Sequence, residues 1–149
     1  MRKAHLGLRQ KLLGIELRDI GRGIEILSVL SPVDVGQAIV VQEGLVLGIE
    51  AIEGTDALIE RTSSLRRPGL GGVLVKMAKH QQERRVDLPT IGLDTIRNAT
   101  KAGLRGIAIE VGRTLLLDRE ETLKLAEENG LFIVSIPNPL DRGGGDEFK

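Results

Sequence analysis

The strongest constraint on the fold is the alternation of short aliphatic runs with amphipathic helical segments. Runs rich in Val, Ile and Leu recur between segments whose apolar residues follow helical spacing. Such alternation of strands and helices is typical of an α/β domain. We therefore predict an α/β fold in a single domain, with a mixed sheet and about four helices.

The mixed character of the sheet follows from two kinds of connection. Two β-rich runs, 38–41 and 45–49, flank Glu43 and Gly44, and an acidic residue followed by glycine favours a tight antiparallel hairpin. The later runs, 73–75, 106–110 and 131–134, have helical segments between them. These connections predict parallel crossovers.

The domain boundaries are predicted from composition and helix signals. Residues 1–17 are basic and carry no clear cap, so we expect a leader or linker there. Asp19 then introduces a helix whose apolar face contains Ile20, Ile24 and Leu27. The domain is expected to span residues 18–137, and the Gly-rich, charged residues 138–149 are expected to form a disordered tail.

Composition excludes several classes of function. The chain has two Phe, no Tyr and no Trp, so its core must be aliphatic and it lacks aromatic platforms for single-stranded nucleic acid. Its 21 basic and 21 acidic residues cancel, which also disfavours nucleic acid as a partner. Without cysteine and with only His5 and His80, metal binding would depend on carboxylates, which suit Mg²⁺, Ca²⁺ or Mn²⁺.

The sequence also bears on location and on the common phosphate-binding motifs. No apolar run approaches the length of a membrane span and no signal-peptide core is present, so a cytoplasmic location is expected, with peripheral membrane contact left open. Neither a Walker A motif nor a Gly-x-Ser-x-Gly elbow occurs. The glycines of residues 69–72 precede a strand instead of following one, so a flexible turn is the favoured interpretation.

Carboxylates at the predicted strand and helix ends are the candidate functional groups, because ligands collect at the carboxyl ends of strands in α/β folds. They are Glu50, Glu53, Asp56, Asp87 and Glu110. Each has a structural alternative: a helix-capping charge for Asp56 behind an N-cap at Thr55, and solvated strand ends for Glu50 and Glu110.

Asp87 is the strongest of these candidates, because it lies in a proline-bearing segment between Arg85 and Pro89. A surface ion pair with Arg85 is its alternative. Cationic side chains surround it in sequence and could hold phosphate oxygens, with a solvated loop as the alternative. They are Lys76, Lys79, His80, Arg84 and Arg85.

Six stretches of the sequence resemble the C-terminal domain of the two-domain bacterial UDP-2,3-diacylglucosamine pyrophosphatases of lipid A biosynthesis. They are DVGQA (34–38), EAIEGTDAL (50–58), GGVLVK (71–76), RRVDLPTIG (84–92), GLRGIAIE (103–110) and LLLDRE (115–120). The resemblance runs in unbroken order over residues 19–136, which makes it more specific than any single motif.

The resemblance implies a hydrolase that converts UDP-2,3-diacylglucosamine to UMP and 2,3-diacylglucosamine 1-phosphate (lipid X). Water would attack the α-phosphorus in a Mg²⁺-dependent reaction, with Mn²⁺ as the alternative ion. The family's essential aspartate matches Asp87, the expected catalytic residue. The expected metal ligands are Asp87 and Asp56, and the expected substrate-binding residues are Thr55, Asp56, Lys76, Arg85 and Thr90.

The resemblance covers only one of the family's two domains. Family members carry an N-terminal domain of similar size and hold the lipid between the two domains, whereas here only residues 1–17 precede the shared region. The missing domain is therefore an expected partner, in cis or in trans, and a homodimer and contact with the inner membrane are left open. The alternative function is a non-catalytic binding or dimerisation module derived from the family.

Overall fold

The computed structural model describes residues 4–5, 14–78, 90–110 and 115–137. Within these ranges the chain forms four α-helices and eight strands. In chain order they are β1 (Ala4–His5), α1 (Gly14–Leu30), β2 (Ala38–Gln42), β3 (Leu45–Ile49), α2 (Thr55–Ser63), β4 (Val73–Lys76), β5 (Thr90–Ile91), α3 (Leu93–Lys101), β6 (Gly106–Glu110), β7 (Leu115–Leu116), α4 (Arg119–Glu128) and β8 (Phe132–Ile136).

Six of these strands form one mixed sheet in the order β1-β8-β6-β4-β2-β3. The β2–β3, β2–β4 and β1–β8 pairs are antiparallel, whereas the β4–β6 and β6–β8 pairs are parallel. The predicted α/β fold, with an antiparallel hairpin, parallel crossovers and four helices, is confirmed. Strands β5 and β7 form a separate two-stranded parallel sheet. The aliphatic run over residues 114–117 predicts a strand where β7 lies, whereas β5 and its pairing with β7 were not predicted.

The predicted hairpin is confirmed and is held by a buried carboxylate. Glu43 and Gly44 connect β2 to β3 with φ values of 47° and 86°, the left-handed conformation that such two-residue turns need. Asp19 of α1 is fully buried, and its carboxylate accepts hydrogen bonds from the backbone amides of Glu43 (2.9 Å) and Gly44 (2.8 Å). The first helix is thereby tied to the turn of the hairpin.

The main sheet separates two apolar clusters. One face packs against α1, whose predicted apolar residues Ile20, Ile24 and Leu27 are all buried. A Cβ at Gly23 would lie 2.6 Å from a methyl group of Val75, so this glycine allows α1 to approach the sheet closely. The other face contributes to a cluster with α2, α3 and α4. No helix among the described residues is long and apolar enough to cross a bilayer.

The N-terminal region differs in part from the expected leader. Helix α1 begins at Gly14, before the predicted start at Asp19, and β1 pairs with β8. The early start has a tertiary cause: Glu16 in the first turn of α1 is buried and forms an ion pair with Arg105, far along the chain. The expected disordered tail, 138–149, lies outside the described residues.

Candidate functional site

The carboxyl ends of β4 and β6 lie at one edge of the sheet, because these two strands are parallel. Lys76 ends β4 and Glu110 ends β6. The hairpin reaches the same edge, since Ala38 at the start of β2 pairs with Lys76, and Ile39 pairs with Ile49 at the end of β3. We call this region the carboxyl edge, and it is where α/β folds bind ligands.

Lys76 is a buried cation at the carboxyl edge, with 7% of its surface exposed. Its Nζ donates a hydrogen bond to the backbone carbonyl of Thr90 at 3.0 Å. Burial lowers the pKa of Lys76 below the usual lysine value of 10.5, while the nearby carboxylates of Glu50 and Asp56 oppose that shift. The edge therefore holds a largely desolvated ammonium group close to two acids.

Glu50 follows β3 and is 9% exposed. Its Oε1 accepts a hydrogen bond from the backbone amide of Gln37 at 2.8 Å, and its Oε2 accepts one from the hydroxyl of Thr55 at 3.2 Å. A Cβ at Gly36 would lie 2.1 Å from the Glu50 carbonyl oxygen, so only glycine allows this close approach. The interpretation of Glu50 as a solvated strand end is therefore wrong.

Glu110 is also buried, with 2% of its surface exposed. Its Oε1 accepts a hydrogen bond from the backbone amide of Ala78 at 2.7 Å, which ties the end of β6 to the residues that follow β4. The solvated interpretation of this strand end is wrong as well. Buried carboxylates at such an edge need hydrogen-bond donors, and here backbone amides supply them.

The first turn of α2 contributes Thr55 and Asp56 to the edge. The N-cap is Gly54 and not the predicted Thr55, because Thr55 is the first helical residue and its hydroxyl bonds to Glu50 instead. Asp56 is exposed in that first turn, where its charge complements the helix N-terminus. Glu53, by contrast, forms an ion pair with Arg61 at 2.7 Å, which indicates a local structural role.

The structure thus brings together four of the predicted site residues at the carboxyl edge. They are Thr55, Asp56, Lys76 and Thr90. Thr90 contributes its backbone carbonyl, which accepts the hydrogen bond from Lys76, whereas its side chain has no hydrogen bond among the described residues. Asp87 and Arg85 lie outside the described residues.

Sequence reasoning missed the contribution of Gln37 to the same edge. Its amide binds Glu50, and its carbonyl oxygen accepts a hydrogen bond from the amide of Met77 at 2.9 Å. The side-chain nitrogen of Gln37 is buried and has no hydrogen-bond partner among the described residues. Gly36, the residue before it, is the feature of the local sequence that could indicate this close packing, because a larger residue would clash with the backbone of Glu50.

The acids of the carboxyl edge do not form a complete metal site by themselves. Within the described part of the chain, no group of three His, Cys, Asp or Glu side chains is placed to hold a metal ion. Both oxygens of Glu50 already accept hydrogen bonds, whereas Asp56 is exposed and forms no ion pair with another described residue. Among the described residues of the carboxyl edge, Asp56 is the carboxylate accessible to a hard cation, which would need further oxygen ligands.

A groove of about 280 Å³ lies away from this edge, between the C-terminal halves of α2 and α3. It contains none of the predicted site residues. Its lining consists of Glu60, Ser63, Asn98, Lys101 and Ala102. The groove is therefore separate from the carboxyl edge.

Comparison with known proteins places the chain in a family. The profile of the LpxI C-terminal domain matches residues 6–134. The chain is also 44% identical over 132 residues to the UDP-2,3-diacylglucosamine pyrophosphatase LpxI of Caulobacter vibrioides, which covers 85% of this chain and 47% of the relative. The chain thus spans about half the length of that relative. Both matches agree with the resemblance seen in the sequence, and the chain belongs to the LpxI C-terminal domain family.

Proposed function

We propose that this chain is the catalytic half of an enzyme that hydrolyses UDP-2,3-diacylglucosamine to UMP and 2,3-diacylglucosamine 1-phosphate. The observation that carries the proposal is the 44% identity to a relative named for this pyrophosphatase activity. In the reaction, the oxygen of water bonds to the α-phosphorus. The bond from that phosphorus to the bridging oxygen breaks, and the sugar 1-phosphate leaves. The proposed setting is the cytoplasm, with peripheral contact at the inner membrane.

Lys76 supports this proposal as a group that binds the diphosphate. An ammonium group has three N–H donors, and among the described residues one of them is used by the carbonyl of Thr90. Two donors and the positive charge thus remain for phosphate oxygens, which form strong hydrogen bonds with cations. We assign Thr55, Asp56, Arg85 and Thr90 to the same substrate-binding site.

Asp87 is proposed as the catalytic carboxylate, which orients water or holds the metal ion. It precedes Thr90 by three residues in the sequence, and three residues span at most about 11 Å of extended chain. The two described residues that flank its segment support this role, because Ala78 contacts Glu110 and Thr90 contacts Lys76.

A magnesium ion, with manganese as the alternative, fits the oxygen donors that this proposal brings together. Asp56 and Asp87 would hold it, and phosphate oxygens and water would complete its shell, as is usual for Mg²⁺ in phosphate enzymes. When bound, such an ion neutralises charge on the phosphate and polarises it. Asp56 is exposed and accessible to a ligand, which supports its part in this assignment.

The test is UMP release from the lipid substrate by the full chain together with the family's N-terminal domain. We expect release with Mg²⁺ and none with EDTA. Lys76→Met should lower kcat/KM by about 100-fold, since two hydrogen bonds to a charged group are lost. Lys101→Met, an exposed lysine of α3, is the matched control and should change it less than about twofold. Absence of UMP release by the wild-type pair contradicts the proposal.

A non-catalytic binding or dimerisation module is the second candidate. The observation that favours it is the lack of a three-ligand acidic group among the described residues. Under this alternative, the wild-type pair releases no UMP, yet the purified chain forms a dimer in native mass measurements. UMP release that depends on Mg²⁺ rules this alternative out.

A further inference from the structure

We propose that Glu50 is a positioning residue of the hydrolytic site, and that it acts through its hydrogen bonds and not through its charge. This inference rests on the proposed function. Glu50 lies outside the set of residues assigned to substrate or metal, and it is almost entirely buried. Its two carboxylate oxygens join two separate parts of the carboxyl edge.

The first contact fixes the start of α2. Thr55, the first residue of that helix, donates its hydroxyl hydrogen to Glu50 Oε2 at 3.2 Å. The N-cap residue Gly54 has no side chain that could cap the helix. The placement of Thr55 and Asp56, both assigned to the site, therefore depends on an anchor outside the helix, and Glu50 is that anchor.

The second contact leads to the strand that carries Lys76. Glu50 Oε1 accepts the amide hydrogen of Gln37 at 2.8 Å. The Gln37 carbonyl in turn accepts a hydrogen bond from the amide of Met77 at 2.9 Å, one residue after Lys76. A continuous path of three hydrogen bonds thus runs from Thr55 through Glu50 and Gln37 to Met77.

Glu50 is held in place by dense packing around it. Gly36 approaches its carbonyl so closely that a Cβ would lie 2.1 Å from the oxygen. The backbone amide of Glu50 also donates to the carbonyl of Ala38 at 2.9 Å. These contacts fix the backbone from which the Glu50 side chain extends, and its two hydrogen bonds then set the geometry of its partners. Site residues displaced by about 1 Å lose about 100-fold in rate.

Three substitutions separate hydrogen bonding from charge. Glu50→Gln removes the charge but keeps both contacts, since its carbonyl can accept from Gln37 and its amide can donate to the Thr55 hydroxyl. Glu50→Asp keeps the charge but is one methylene too short to reach both partners. Glu50→Ala removes both properties. Glu60→Ala, an exposed glutamate of α2, is the matched control.

The experiment measures kcat and KM for UMP release by each variant, with the N-terminal domain supplied and after circular dichroism has confirmed folding. We expect Glu50→Gln and Glu60→Ala to stay within about threefold of the wild type, and Glu50→Ala and Glu50→Asp to lose about 30-fold or more in kcat. Amide hydrogen exchange of Gln37 should accelerate in the Ala and Asp variants and stay slow in the Gln variant. If Glu50→Ala does not fold, Glu50→Asp carries the same test.

Two results overturn this inference while leaving the proposed function intact. One is a folded Glu50→Ala or Glu50→Asp variant with wild-type kcat, which would limit Glu50 to a structural role. The other is a Glu50→Gln variant as slow as Glu50→Ala, which would assign the effect to charge. A wild-type pair that releases no UMP is a different failure, because it removes the proposed function and this positioning role with it.

Discussion

Replacement of Asp19 by alanine should destabilise the protein more than any change of an exposed charge on the same helix. The carboxylate of Asp19 is fully buried and accepts hydrogen bonds from the amides of Glu43 and Gly44. Each hydrogen bond to a charged group contributes about 1.5–3 kcal/mol, so the two together contribute about 3–6 kcal/mol. Because the turn residues are exposed, water can partly replace the carboxylate, and we expect a loss of about 3 kcal/mol.

The assay is thermal and urea unfolding of the wild type and three variants. A loss of this size corresponds to a fall in Tm of about 10 °C for a domain of this length. Asp19→Asn keeps one acceptor and should lose about half as much. Glu25→Ala is the control, since the ion pair of Glu25 among the described residues is with Arg22 on the exposed face of α1, and its loss should change stability by less than about 0.5 kcal/mol. A Tm for Asp19→Ala equal to that of Glu25→Ala would refute the reasoning.

Three further comparisons test other parts of the fold. In α1, Gly21→Ala should raise the free energy of unfolding by about 0.5–1 kcal/mol, because a Cβ at this position meets nothing within 4 Å. Gly23→Ala should lower it by about 1–3 kcal/mol, because its Cβ clashes with the sheet. Urea titration that gives both changes the same sign would contradict this. Burial lowers the pKa of Lys76 in the folded chain, so between that lowered value and 10.5 the unfolded chain binds the extra proton. The stability of the wild type relative to Lys76→Met should therefore rise with pH through this window. A stability difference that does not change with pH would count against this. Arg105→Met should lower stability by about 3–5 kcal/mol, because it removes the guanidinium that pairs with the buried Glu16. The double variant with Glu16→Leu should recover most of that lost stability in the same urea titration.

The elements that the sequence predicted correctly depend on local signals. Two aliphatic runs separated by Glu43 and Gly44 predict the hairpin, and Gly44 adopts the positive φ that the turn needs. The sequence from residue 93 to residue 102, followed by Gly103, predicts a helix that ends at this glycine, and α3 ends at Lys101 with Gly103 at φ 79°. Such features need only neighbouring residues, so a pattern in the sequence predicts them.

The features that the sequence did not predict depend on partners far along the chain. Solvated strand ends were the structural alternative for Glu50 and Glu110, but amides of Gln37 and Ala78 donate hydrogen bonds to these carboxylates in the interior. Thr55 looked like an N-cap, but a tertiary hydrogen bond takes its hydroxyl. The two-residue strand β5 is too short to produce a periodic signal, and its pairing with β7 joins distant parts of the chain. Non-local contacts of this kind decide the geometry of the site.

The role of Asp87 remains the central prediction, and one comparison of rates tests it most directly. The full chain and its Asp87→Asn variant are each combined with the N-terminal domain, and UMP release is measured with Mg²⁺ at saturating lipid substrate. Asp94→Asn is the matched control, because Asp94 is an exposed aspartate of α3 whose ion pair among the described residues is with Arg97. We expect the control to turn over normally and Asp87→Asn to lose about 100-fold or more in kcat while it still binds substrate. Wild-type turnover by Asp87→Asn would contradict the assignment of Asp87 as the catalytic carboxylate.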